Sequence, residues 1–125
     1  MPTEPMSLSD KRCLFTRLLC TLILRMSMRG ISLAFGEGYV ALTDAADGDH
    51  DGPHKRGGAH YTGVGADLIM YRTSDGREGP ITDGSDSEWL RVGQEWERMD
   101  SLCRWGGRFS PPDANHFSLL HDGRA

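Results

Sequence analysis

Four side chains in two separate segments carry the chemistry open to this sequence. In GGAHYTGVGADLIMY, His60 stands seven residues before Asp67; in RWGGRFSPPDANHFSLLH, Asp113 stands three residues before His116. A catalytic zinc takes three protein ligands, nitrogen or carboxylate oxygen, and keeps one position for water. His60, Asp67 and His116 supply such a set. A metal-dependent hydrolase also needs a base outside the ligand set, which takes a proton from water and hands it to the leaving group. Asp113, one short turn before His116 and stiffened by Pro111 and Pro112, is the candidate for that base. The plainer alternative is that Asp113 caps the turn before a strand.

For these groups to meet, the elements around them must bring two distant segments together. The spacing from His60 to Asp67 is too wide for one helix face, and suits a turn at Gly63 and Gly65 that returns the chain to a strand end. The 66–71 run is strand-like, the turn at Asp75 and Gly76 predicts a hairpin, and residues 80–82 make the return strand. Residues 116–120 read as a further strand, after Trp105 beside a short one. Ser9 or Asp10 is expected to cap a first helix that runs to Met28 and stops at Gly30. Leu14, Leu18, Cys20, Leu22 and Met26 lie in its apolar stripe, with Arg17, Arg25 and Arg29 reaching solvent. The 31–35 run alternates bulky and small residues as a strand. Asp86 or Ser87 caps a second helix over 87–102, with Trp89, Leu90, Val92, Trp96 and Met99 as its apolar positions. The expectation is an α+β fold: a single compact domain over residues 9–125 with a small antiparallel sheet against two main helices, and the metal site at the sheet edge. Residues 1–8 are expected to be a disordered tail.

Composition narrows the classes. A chain of 125 residues suits one domain. With 26% charged residues and a net charge of −4, it lacks the basic footprint of a nucleic-acid binder. Three cysteines, Cys13, Cys20 and Cys103, make no disulfide framework and no Cys-x-x-Cys zinc motif, and point to a reducing compartment. The apolar 18–24 run is bracketed by Arg17 and Arg25, has no cleavage pattern, and falls short of the ~20 residues of a membrane span. The polar 43–58 stretch predicts a surface loop bearing His50 and His54. Its Asp47-x-Asp49-x-Asp51-Gly52 opening copies a calcium-hand loop, but Gly58 stands where the bidentate glutamate belongs, so that motif fails.

Either half of the four-residue constellation is common by itself; the two together, in this order and with Trp105-Gly-Gly-Arg-Phe109 between them, are specific. With these marks the chain resembles the zinc peptidases that include bacterial D-Ala-D-Ala carboxypeptidases and phage L-alanyl-D-glutamate endopeptidases. The likeness extends over Gly36-Glu37-Gly38-Tyr39, His60-x6-Asp67-Leu68, the Asp75-Gly76 hairpin, the Trp96-containing helix and Asp113-x-x-His116-Phe117-Ser118. It implies zinc on His60, Asp67 and His116, and Asp113 as catalytic base. The short endolysin-like branch fits best, cutting the peptidoglycan stem peptide, with L-alanyl–D-glutamate as the first choice of bond. A D,D- or L,D-carboxypeptidase is the enzymatic alternative, and a catalytically impaired zinc-binding module that recognises wall peptides is the non-enzymatic one. Glu37 and Tyr39 are candidates to line the cleft. The resemblance also implies a phage- or prophage-encoded monomer made in the bacterial cytoplasm, without membrane insertion or nucleic-acid partner, that acts at the wall after release.

Two positions depart from the family pattern. Val40 stands where an arginine usually follows Gly-Glu-x-Tyr, and Gly58 stands where a serine is frequent. Losing a donor that steadies developing charge costs a few kcal/mol of transition-state stabilisation. Lys55, Arg56 or Arg108 are the candidate replacements.

Overall fold

The structure, a computed structural model, describes residues 6–36, 63–72 and 79–125. Glu37, Tyr39, Val40, the 43–58 loop, His60 and the turn at Asp75 and Gly76 lie outside them. The described elements are α1 (Leu8–Met28), β1 (Ser32–Phe35), β2 (Gly65–Tyr71), α2 (Ser87–Met99), β3 (Cys103–Trp105), a 3-10 turn (Gly106–Arg108) and β4 (His116–Leu119). They form an α+β unit in which two helices accompany a four-stranded antiparallel sheet of order β1-β2-β4-β3.

Helix α1 starts earlier than the sequence predicts. Ser7, not Ser9 or Asp10, is the N-cap: its backbone is extended and its hydroxyl accepts from the Asp10 amide at 3.1 Å. Asp10 then sits in the first turn, where a carboxylate meets the positive end of the helix dipole. At the other end Gly30 adopts φ +86°, its amide donates to the Ser27 carbonyl, and the Ile31 amide donates to the Met26 carbonyl. That paired closure requires the left-handed conformation glycine takes without penalty.

The buried stripe of α1 is also rotated from the expected one. Phe15, Leu19, Leu22 and Met26 face inward, Leu14 and Leu18 flank them, and Cys20 is exposed. The i, i+4, i+7, i+11 spacing puts Phe15 edge-on to Trp96, with ring centroids 5.8 Å apart. The largest side chain of the helix therefore sets which face turns in, and each buried member of the stripe contributes about 1.5–3 kcal/mol.

Helix α2 is capped by Asp86, whose carboxylate accepts from the Glu88 amide at 2.9 Å. It ends at Met99, three residues before the predicted 102, because Asp100 is extended and its carboxylate accepts from the Leu102 amide. Leu90, expected as an apolar core position, is 42% exposed; Trp89, Val92, Gly93 and Trp96 form the buried face. Fully buried Trp96 ties helix to sheet. Its indole N–H donates to the Arg104 carbonyl at 3.0 Å and to the Ser118 carbonyl at 3.2 Å, joining α2 to β3 and β4.

The predicted return strand over 80–82 is reduced to one bridge, Tyr71 to Pro80, continued by an Ile81 N–H to Met70 carbonyl bond of 2.8 Å. Pro80 has no donor to extend the ladder. Arg25 and Arg29 do reach the surface, where both pair with Glu95. The register sorts the sheet's faces. Ala66, Leu68 and Met70 alternate toward the core with Phe117 and Leu119, so Asp67, His116 and Ser118 share the opposite face. No helix among the described residues is long and apolar enough to cross a membrane.

Candidate metal centre

Pairing of β2 with β4 sets Asp67 directly opposite His116. Such partners hold their Cβ atoms about 4.5–5.5 Å apart, so side chains on one face converge without backbone distortion. The strand is fixed on both sides of this point. The Asp67 carbonyl accepts from the Gly36 amide and the Leu68 amide donates to the Asn115 carbonyl, each at 2.9 Å.

The Asp67 Oδ1 and His116 Nδ1 atoms lie 3.5 Å apart. An ordinary N–H···O bond closes to about 2.9 Å. Two ligand atoms on a tetrahedral ion with bonds near 2.05 Å stand ~3.3 Å apart. The pair is thus spaced as two ligands of one ion are. Asp113 completes the cluster: one ligand atom each from Asp67, Asp113 and His116 all lie within 4.8 Å of one another. Burial is graded across it. His116 is 6% exposed, Asp67 half-buried and Asp113 exposed, so the cluster runs from the buried imidazole to a carboxylate facing solvent. The group fits a metal ion in its donor types, one imidazole and two carboxylates, and in its spacing.

Local sequence explains how Asp113 arrives there. The Gly106 carbonyl accepts from both the Phe109 amide at 3.0 Å and the Asp113 amide at 2.8 Å, and the His116 amide donates to the Asp113 carbonyl at 3.1 Å. The loop is cinched onto Gly106, and the Ser110–Pro111 peptide within it is cis. A Cβ at residue 106 would meet the Asp113 carbonyl oxygen and stand 2.7 Å from His116 Cβ, which is why the position is glycine. Trp105 holds the same turn from beneath, its indole N–H donating to the Ala114 carbonyl at 2.6 Å. That ring fits because Gly93 and Gly107 carry no Cβ; one at either position would run into it. Phe109 packs on the His116 imidazole with ring centroids 5.2 Å apart.

Of the residues proposed from sequence, Asp67, Asp113 and His116 are brought together. His60, Glu37 and Tyr39 lie outside the described residues, as do Lys55 and Arg56. Arg108 is turned to α2: its guanidinium makes two bonds to the Glu97 carboxylate, at 3.0 and 3.2 Å, and lies 5.2 Å over the Trp105 ring. The Glu97 bonds raise its pKa further. His121 contacts Lys11 Nζ through Nδ1 at 3.0 Å and Asp122 through Nε2 at 3.4 Å. In the Trp105-Gly106-Gly107 run two glycines beside an indole mark close approach, whereas Gly93, alone on α2, carries no such signal in the sequence. Ser118, two residues past His116 on the same face, has a buried hydroxyl with no hydrogen-bond partner among the described residues. No protein-family model matches this chain, and no curated protein matches it either.

Proposed function

We propose that this chain is a zinc-dependent peptidase that hydrolyses an amide bond in the stem peptide of bacterial peptidoglycan, the L-alanyl–D-glutamate bond being the first choice. The observation that supports this reading most is the Asp67–His116 pair, set opposite each other across two strands with the Asp113 carboxylate beside them. Zinc is the ion that suits a mixed imidazole and carboxylate set with an open position. His116 and Asp67 would hold it, with His60 as the third ligand by sequence. Bound there, zinc supplies Lewis acidity and water with its pKa lowered to about 7.

The rest of the chemistry belongs to the chain's own groups. Asp113 accepts the proton of the attacking water at a carboxylate oxygen and returns it to the leaving nitrogen, so that the amine departs neutral. Trp105 and Gly106 fix where that oxygen stands. Phe109 covers one side of the imidazole and limits water there. The protein would act as a monomer on the wall, made in the cytoplasm of a bacterium carrying a phage or prophage.

Zinc-loaded protein added to cell-wall sacculi tests the reading directly. New N-terminal D-glutamate released by the wild type, and lost in Asp113→Ala, is the expected outcome. Equal and negligible release by both proteins, each still binding zinc, would remove the enzyme. It would leave the second reading, a zinc-binding module that recognises wall peptides without turnover. Two observations favour that reading: Val40 replaces the usual arginine, and Arg108, a candidate substitute, is held by Glu97.

A further inference from the structure

The two helices present a cationic surface on the side of the sheet away from Asp67 and His116. Phe15 of α1 and Phe117 of β4 both pack on Trp96 of α2, so the helices cover the face that carries Phe117, and Asp67 and His116 lie on the other. In the last turns of α1, Leu22 and Met26 point inward, so Leu24 and Met28 point outward; they are 58% and 85% exposed. Arg25 and Arg29 stand beside them, and across a groove of about 310 Å³ from Arg29 stand Arg91 and Arg98 of α2. Among the described residues, the carboxylates that line this groove are Glu88 and Glu95. Glu95 serves both Arg25 and Arg29, at 3.1 and 3.6 Å, and Arg91 reaches Glu88 only at 3.8 Å. Arg98 is exposed and has no carboxylate partner among the described residues. Four guanidinium groups against two carboxylates leave this surface positive, in a chain whose net charge is −4.

We propose that this two-helix surface docks peripherally on a bilayer of anionic phospholipid, with the four arginines at the headgroups and Leu24 and Met28 dipping into the acyl boundary. The inference goes beyond the peptidase reading and needs neither metal nor turnover. Arginine takes a phosphate through two parallel N–H···O bonds. Each basic side chain held near an anionic leaflet strengthens binding about fivefold. Leucine and methionine side chains held out in water beside those cations gain by entering hydrocarbon. A soluble polyanion would meet the arginines but offer the two apolar side chains nothing. A second copy docked about a two-fold axis would bring arginines against arginines. Docked on lipid in this way, the protein turns the sheet face bearing Asp67 and His116 away from the bilayer.

Co-sedimentation of the full chain with lipid vesicles tests this. The wild type is expected to bind vesicles of phosphatidylglycerol and phosphatidylcholine in equal parts at least tenfold more tightly than vesicles of phosphatidylcholine alone. Salt at about 0.5 M should release it. Changing Arg91→Gln and Arg98→Gln together removes two positive charges and should cost at least tenfold on the anionic vesicles. Changing Leu24→Ser and Met28→Ser together should cost at least fivefold there, while leaving binding to inorganic polyphosphate as in the wild type. All four side chains are exposed, and far-ultraviolet circular dichroism checks that each variant is folded. No binding to the anionic vesicles, or equal affinity for both kinds, overturns the inference. Loss with the arginine pair but none with the Leu24 and Met28 pair means adhesion to any polyanion, and overturns lipid docking. A lipid-free dimer abolished by the same variants assigns the surface to a second copy and overturns it as well.

Discussion

Replacing Gly106 with alanine tests the whole account of how the site is held. The added methyl would stand 2.7 Å from His116 Cβ and run into the Asp113 carbonyl oxygen. Ordinary carbon–carbon contact is about 3.5–4.0 Å, so His116 or the Asp113 turn must move by about 1 Å. Neither can move alone, because the Gly106 carbonyl binds the Asp113 amide and the Asp113 carbonyl binds the His116 amide. A displacement of that size in a ligand or a base costs about a hundredfold in turnover, and overpacking a closed contact costs about 1–3 kcal/mol of stability. The measurements are zinc affinity by chelator competition, thermal unfolding with and without zinc, and amide hydrolysis. Gly106→Ala is expected to weaken zinc at least tenfold while keeping its far-ultraviolet circular dichroism. Gly93→Ala is the control, since the three atoms nearest its added methyl all belong to the Trp105 ring. It should lose stability to a similar degree with a smaller loss of zinc affinity. A Gly106→Ala protein that binds zinc within twofold of wild type would refute the convergence described for Asp113 and His116.

The remaining expectations follow from single interactions. At zinc a hundredfold above its dissociation constant, the wild type gains about 2.7 kcal/mol, or roughly 10 °C in Tm, and His116→Ala or Asp67→Ala should lose that gain when melted with and without chelator. Trp96→Phe removes the indole donor shared by the Arg104 and Ser118 carbonyls and should cost about 2 kcal/mol or more in urea unfolding. Burial, and next the nearby Asp100 charge, push the Cys103 thiol up to about 12. Native protein at pH 8 should therefore label at exposed Cys13 and Cys20, with Cys103 reacting only after unfolding. Asp86 has its pKa lowered below 3.8, first by the Glu88 amide and then by Arg72. A lowered folded pKa gives stability that is complete above the unfolded value and lost as pH falls through the folded one. Asp86→Asn, still a good cap, should flatten the decline in Tm below about pH 4; an unchanged acid limb would contradict that role.

The convergence of Asp67, Asp113 and His116 was more legible in the sequence than the packing was. Asp67, Asp113 and His116 were legible because ligand types and short spacings survive in one dimension, and because strand alternation puts residues 67, 69 and 71 on one face. The direction of α1 inward was not legible. Leu14, Leu18 and Cys20 fit a helical stripe as well as Phe15 and Leu19 do, and the choice is made by Trp96, a partner far along the chain. The return strand over 80–82 was overread because Pro80 satisfies a hydrophobic pattern while lacking the amide a ladder needs. Arg108 looked available on sequence, but Glu97 lies one helix away, and its bonds to Arg108 arise from how the 3-10 turn packs on α2. Gly106 belongs to a motif in the sequence, yet the reason for glycine there, the close approach of the Asp113 carbonyl and the His116 Cβ, exists only once the loop is closed in three dimensions.

The order of the strands also has a consequence for how the protein forms. β2 and β4 are neighbours in the sheet, but α2 and β3 are made between them, so the Asp67–His116 pair is a long-range contact that closes a large loop. Such contacts come late and slowly. Until β4 docks, Asp67 has no imidazole opposite it. A metal held between these two side chains would therefore be captured only at the final stage of folding. A refolding experiment that follows zinc uptake and tryptophan burial together should see burial lead and uptake trail.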